Sequence, residues 1–233
     1  MRIDTLVLAC ALGAISLPTF AADVVSGTPG GTWVDPTPSG SPVVTSGVGS
    51  STFKWGQTTG VTPANSIVFA AESSFSSVIE TPFKVGQISY FNGTTGIGTN
   101  PDSVQLALKL AFTAPNIPAV VSDYTFKLFT TPNTDDPDAS ADFVYLPSAF
   151  STTSFVIGDT TYNVKLTGFQ DIVGDGFLTS NDLALHVREG GTASADLFAV
   201  VTTQVSSVPE PQNVALVLAG LGLIGVMAGR RRG

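Results

Sequence analysis

The sequence predicts an all-β fold: a two-sheet antiparallel β-sandwich, jelly-roll-like, followed by a single C-terminal hydrophobic helix. Three observations carry this. Residues 104–112 alternate strictly between apolar and small or polar side chains, the period of a strand with one buried face. No stretch of the body sustains the 3.6-residue periodicity of an amphipathic helix. Gly, Pro, Ser, Thr and Asn interrupt the chain at the short intervals that separate sandwich strands.

Taken in order, residues 22–49 are rich in Gly, Pro, Ser and Thr. They read as a flexible lead-in with one early strand near Gly31 to Val34. Ser51 to Gly56 is a short aromatic strand, and Ser66 to Ala71 an apolar one, followed by a loop around Ser73 to Ser77. Phe83 to Phe91 is strand-forming and runs into Asn92-Gly93, a turn dipeptide. In residues 104–112, Val104, Leu106, Leu108, Leu110 and Phe112 share one face. In the next strand Tyr124, Phe126 and Leu128 oppose Thr125, Lys127 and Phe129. An acidic loop over Pro132 to Ser140 precedes a short strand at Asp142 to Leu146. Phe155 to Ile157, Gly158-Asp159 and Tyr162 to Leu166 read as a hairpin. Leu183 to Arg188 and Asp196 to Val205 read as a closing pair joined through Glu189-Gly190-Gly191. This amounts to roughly nine or ten strands, a sandwich-sized number, in a domain over residues 50–206.

Residues 1–21 read as a secretory signal peptide. Arg2 is the positive start, Leu6 to Leu17 the apolar region, and Thr19-Phe20-Ala21 the small-x-small cleavage site. Cys10 is the chain's single cysteine and falls inside this signal. The exported chain is therefore expected to have no disulfide, thiol nucleophile or cysteine-bound metal.

The net charge is −8 and only 12% of residues are charged. That excludes the basic footprint nucleic acid binding requires. An acidic balance suits a soluble exported protein.

The last segment, 207–233, has three parts in order. Val208-Pro209-Glu210-Pro211 comes first, then an uncharged run from Val214 to Ala228, then Arg230, Arg231 and Arg232. Fifteen residues of helix rise about 22 Å, short of a hydrocarbon core of about 30 Å. Gly220, Gly222 and Gly225 within it, and Gly229 just after it, weaken that helix further. The arginines place its end in the cytoplasm and the body outside. Such a segment suits brief insertion in the inner membrane better than permanent anchorage.

This tail resembles the PEP-CTERM sorting domain of Gram-negative bacteria. The resemblance implies export, transient inner-membrane anchoring, and processing at Pro209-Glu210-Pro211 by an exosortase, a membrane-embedded cysteine protease. It also implies delivery to the cell surface or an exopolysaccharide matrix, as in biofilms. The secretion machinery and the membrane are the further partners.

The body resembles the choice-of-anchor K domain family over about Thr52 to Thr203. The matching stretches include Thr52-Phe53-Lys54-Trp55-Gly56, Tyr90-Phe91-Asn92-Gly93-Thr94, Ala141-Asp142-Phe143-Val144 and Tyr162-Asn163-Val164-Lys165-Leu166. That resemblance implies an exported domain without a defined activity.

Two acidic clusters are candidate calcium sites. Asp171, Asp175, Gly176, Thr179 and Asp182 fall at positions 1, 5, 6, 9 and 12 of an EF-hand-like loop, but Val173 stands where a third ligand is required. Asp135, Asp136, Asp138 and Asp142 form the second, which a solvated turn after Pro132 explains without a metal. Otherwise no cofactor is expected.

His186 is the only histidine, and no Gly-x-Ser-x-Gly elbow accompanies it. It reads as a strand-face residue rather than a catalytic base. Trp33, Trp55, Tyr90 and Phe91 are either a sugar-stacking surface or a buried core. The expectation is a non-enzymatic exported surface protein. A carbohydrate-binding module, aided by calcium, is the alternative, and a hydrolase is less favoured.

Overall fold

The computed structural model describes residues 24–147 and 153–204. They form fourteen strands in two seven-stranded sheets, every pairing antiparallel, with no helix among the described residues.

The first sheet contains β1 (Val24–Thr37), β5 (Phe75–Val78), β7 (Ser103–Ala114), β8 (Val120–Phe129), β9 (Asp142–Tyr145), β12 (Phe177–Asn181) and β13 (Ala184–Val187). Its order is β12-β13-β9-β8-β7-β1-β5. The second contains β2 (Thr45–Ser46), β3 (Thr52–Trp55), β4 (Asn65–Ala71), β6 (Phe83–Phe91), β10 (Ser154–Ile157), β11 (Thr160–Val173) and β14 (Thr192–Gln204). It is ordered β10-β11-β14-β6-β4-β3-β2. The chain changes sheet repeatedly, so the inward faces of both close over one core.

The alternation read from the sequence holds where one face is buried. Val104, Leu106, Leu108, Leu110 and Phe112 on β7 point into the core, as do Tyr124, Phe126 and Leu128 on β8. Trp33 stands edge-on to Phe126 at 5.3 Å, and Phe53, Trp55 and Tyr90 stack in succession at 5.5 and 5.7 Å. The hairpin at Gly158-Asp159 is present, with Ile157 opposite Thr160.

Four expectations are corrected. Where a flexible lead-in is expected over residues 22–49, the described residues 24–37 form β1, a fourteen-residue strand between β5 and β7. Glycine is required there by packing. A Cβ on Gly27 would sit 2.2 Å from the Ala111 carbonyl oxygen. The Ser73 to Ser77 loop gives way to β5, which adds an edge strand to β1.

Asn92-Gly93 is not the expected turn, and the chain passes there from β6 towards the other sheet. Instead Asn92 is buried and its Nδ2 donates to the carbonyls of Ser140 and Val187, while the Gly93 N–H donates to Asn65 Oδ1. The supposed closing pair is also divided. β13 pairs with β9 and β12, whereas β14 pairs with β11 and β6. The Glu189-Gly190-Gly191 link therefore crosses from one sheet to the other.

Candidate functional site

That crossing link gathers the acidic residues at one end of the sandwich. The Glu189 N–H donates to the Pro137 carbonyl, and the Arg188 N–H to that of Gly176. The Gly190 N–H donates to the carbonyl of Asn92. These bonds draw the 132–141 loop, the 174–176 turn and the β13–β14 link around a shallow recess of about 420 Å³, lined by Asp136, Asp138, Asp175, Arg188 and Glu189. Members of both predicted calcium clusters thus meet, joined by Arg188 and Glu189, whose part the spacing alone did not show.

Three of the recess carboxylates have partners, whereas Glu189 Oε1 is buried without a hydrogen bond. Asp138 Oδ1 lies 3.0 Å from Arg188 Nε. Asp136 Oδ1 accepts from the Asp138 N–H at 2.9 Å, and Asp175 Oδ1 from the Thr192 N–H at 3.1 Å. Asp142 is buried at the head of β9, where Oδ1 accepts from the Thr131 N–H at 2.8 Å and the Thr131 hydroxyl at 3.2 Å. Burial pushes its carboxyl up to about 6, against those hydrogen bonds and with a smaller push from the Glu189 charge. Burial, and secondarily the charge of Asp142, raises the Tyr90 phenol well above its ordinary range.

The other candidate ligands are elsewhere. Asp135 is exposed on its loop. Asp171 is exposed at a bulge in β11, with φ of 50°. Asp182 is exposed between β12 and β13. The supposed EF-hand-like loop is in fact the end of β11, a turn and β12. Among the described residues, no group of three or more His, Cys, Asp or Glu side chains is placed to hold a metal ion. The two predicted clusters are thus divided, with Asp136, Asp138 and Asp175 at the recess and Asp135, Asp142, Asp171 and Asp182 outside its lining.

The aromatic candidates divide in the same way. Trp33, Trp55 and Tyr90 are buried in the core, which removes them as a sugar-stacking surface. A row of rings, exposed at Phe129 and Tyr145 and half-buried at Phe143 and His186, lies on the outer face of the first sheet. Phe129 of β8, 54% exposed, meets Phe143 of β9 at 6.1 Å, and Phe143 stacks on Tyr145 at 5.4 Å. On its β13 side Phe143 stacks on His186 at 3.9 Å with the rings nearly parallel. His186 Nδ1 lies 2.8 Å from Thr179 Oγ1, and partial burial lowers the imidazole's pKa against the opposing pull of Asp138. Cross-strand register creates this row. Phe143 faces Phe129 on one side and His186 on the other, a pairing that sequence spacing does not reveal.

The described chain is thus an all-β, two-sheet domain of sandwich type. Among its residues no helix is long and apolar enough to cross a membrane. The signal peptide expected at 1–21 and the helix expected within 207–233, with Val208, Pro209, Glu210, Pro211, Arg230, Arg231 and Arg232, lie outside the described residues.

Residues 207–232 match the PEP-CTERM protein-sorting motif. The match covers the Pro-Glu-Pro segment, the apolar run and the arginines, and supports exosortase-dependent sorting of an exported protein to the envelope or surface of a Gram-negative cell. No curated protein matches the chain. The likeness of the body to choice-of-anchor K domains has no accompanying match.

Proposed function

We propose that the chain is a non-enzymatic surface or matrix protein, held briefly in the inner membrane by residues 214–228 and released by an exosortase at Pro209-Glu210-Pro211. The sorting motif at 207–232 carries this reading. It is supported by the position of β14, the last described strand, which reaches Gln204, so every described strand lies on the N-terminal side of the processing segment. Cutting there would free the whole sandwich. An exopolysaccharide or biofilm matrix, as the resemblance of the tail suggests, is the proposed destination.

Intact-mass measurement of the protein from its native host tests this. The expected mass lacks Arg230 to Arg232, and a host without its exosortase accumulates the longer form. A mature protein that keeps its C-terminus would reduce the tail to a simple anchor.

The row formed by exposed Phe129 and Tyr145 with half-buried Phe143 and His186 favours a second reading, a polysaccharide-binding face. Exposed rings offer apolar surface against which sugar C–H groups pack. Glycan-array binding that is lost in Phe129→Ala and Tyr145→Ala would support it, and unchanged binding would count against it. A hydrolase is disfavoured, since the one histidine is stacked on Phe143 and hydrogen-bonded to Thr179.

A further inference from the structure

The two ends of the sandwich differ in chemistry. One carries Asp136, Asp138, Asp175 and Glu189 around Arg188. At the other, β1 begins and β14 leaves. There Thr161 pairs with Gln204, Ile157 with Thr160, Val24 with Val78, and Ser26 with Ala114. The β10–β11 turn, the end of β5 and the β7–β8 loop therefore surround the point where the chain departs for the sorting motif.

This departing end is rimmed by aliphatic side chains. Val24 is 51% exposed, Val78 39%, Val121 46% and Val156 59%. Inside the rim, Ile79, Ile117 and Ile157 are half-buried against the core. A recess of about 390 Å³ opens there between Val24, Ala114, Pro115, Ile157 and Tyr162. The charges close to the rim are few. Glu80 Oε1 accepts from the Thr203 N–H at 2.7 Å and from its hydroxyl at 3.0 Å, which ties that carboxylate to β14. Asp159 caps the hairpin turn, Asp123 follows Val121 by one pleat, and Lys109 lies opposite Val121.

We propose that this apolar rim is a lipid-contact surface, on which the domain rests against the bilayer while the tail is inserted. The inference rests on the tail reading above. Nine residues separate Gln204 from Val214, and a chain of that length spans at most about 35 Å even when extended. The domain is therefore tethered close to the membrane, by the end that carries the rim. Tethering raises the effective concentration of a weak apolar contact at the interface. The acidic end, repelled by anionic headgroups, points away. Cleavage at Pro209 to Pro211 removes the tether, and the contact alone is too small to hold the protein.

The test uses the full chain, with Cys10→Ser, in nanodiscs of phosphatidylethanolamine and phosphatidylglycerol holding one chain each. An environment-sensitive dye is placed singly by Val121→Cys, Val156→Cys, Asp135→Cys or Leu218→Cys, and nitroxide lipids are added as quenchers. Blue-shifted, quenched emission is expected at 121, 156 and 218, with neither change at 135. If 218 is quenched while 121 and 156 behave like 135, the rim does not touch lipid and the inference is overturned, with the tail reading intact. An unquenched 218 overturns the tail reading and the inference with it. Dyes at 121 and 156 that are shielded only at high protein concentration, and unquenched in single-chain discs, would assign the rim to a second copy. That outcome too would overturn the proposal.

Discussion

Asp142 offers the sharpest test of how this domain balances its forces. The perturbation is Asp142→Asn, which keeps an oxygen for the two Thr131 hydrogen bonds and removes the charge. In the folded chain the carboxyl is raised from 3.8 to about 6, because burial outweighs the hydrogen bonds that favour the anion. The native state therefore holds a proton that the unfolded chain gives up near pH 4. Its stabilising effect is complete below that pH and is lost as pH rises through about 6. A shift of this size corresponds to about 3 kcal/mol at most. The asparagine variant should match the wild type near pH 4 and exceed it by about 2–3 kcal/mol at neutral pH. Urea unfolding across this pH range measures it, followed by emission from the chain's two tryptophans, Trp33 and Trp55, both buried in the core. A difference that does not change with pH, or an asparagine variant weaker at neutral pH, would refute the argument.

Gly86→Ala should destabilise the domain by about 1–3 kcal/mol, since the added carbon would lie 2.5 Å from the Ala70 carbonyl oxygen and 2.6 Å from the Phe69 ring. Gly30→Ala, with nothing within 4 Å, should stay within about 0.5 kcal/mol in the same urea titration. Arg188→Gln should cost no more than about 1 kcal/mol, because its ion pair with Asp138 is largely exposed; a loss several times larger would mean the recess organises the end of the sandwich. Calcium or a chelator should move the thermal midpoint by less than about 1 °C, as Asp136, Asp138 and Asp175 already have partners. A clear calcium-dependent rise in scanning calorimetry would show that those partners yield to the ion.

Strand after strand was legible where a single face is buried. The alternation of β7 needs no tertiary knowledge, because an apolar residue at every second position can only be buried on one side. β1 was legible only near Gly31 to Val34, for a physical reason. Its inward positions include Val25, Gly27, Pro29 and Trp33, and the approach of β7 demands a bare backbone at Gly27. Such a strand has the composition of a loop. Asn92-Gly93 misled similarly. Its chemistry fits a tight turn, but here the amide anchors the link between the sheets and holds the acidic end together. Asp171 to Asp182 had nearly the spacing of a metal loop, yet spacing assumes the chain curls around an ion, and this stretch ends one strand and begins another.

The sequence by itself determined the all-β class, most strand faces and the sorting motif at 207–232. These are local properties, set by side-chain period or by residues adjacent in the chain. Only the tertiary structure decided which aromatics are exposed, which carboxylates meet, and which end of the sandwich the tail leaves from. Each of those depends on register between strands distant in sequence. Phe129, Phe143 and His186 become neighbours only because β8, β9 and β13 pair in one sheet. Val24, Val121 and Val156 share one end only because both sheets place their strand ends there.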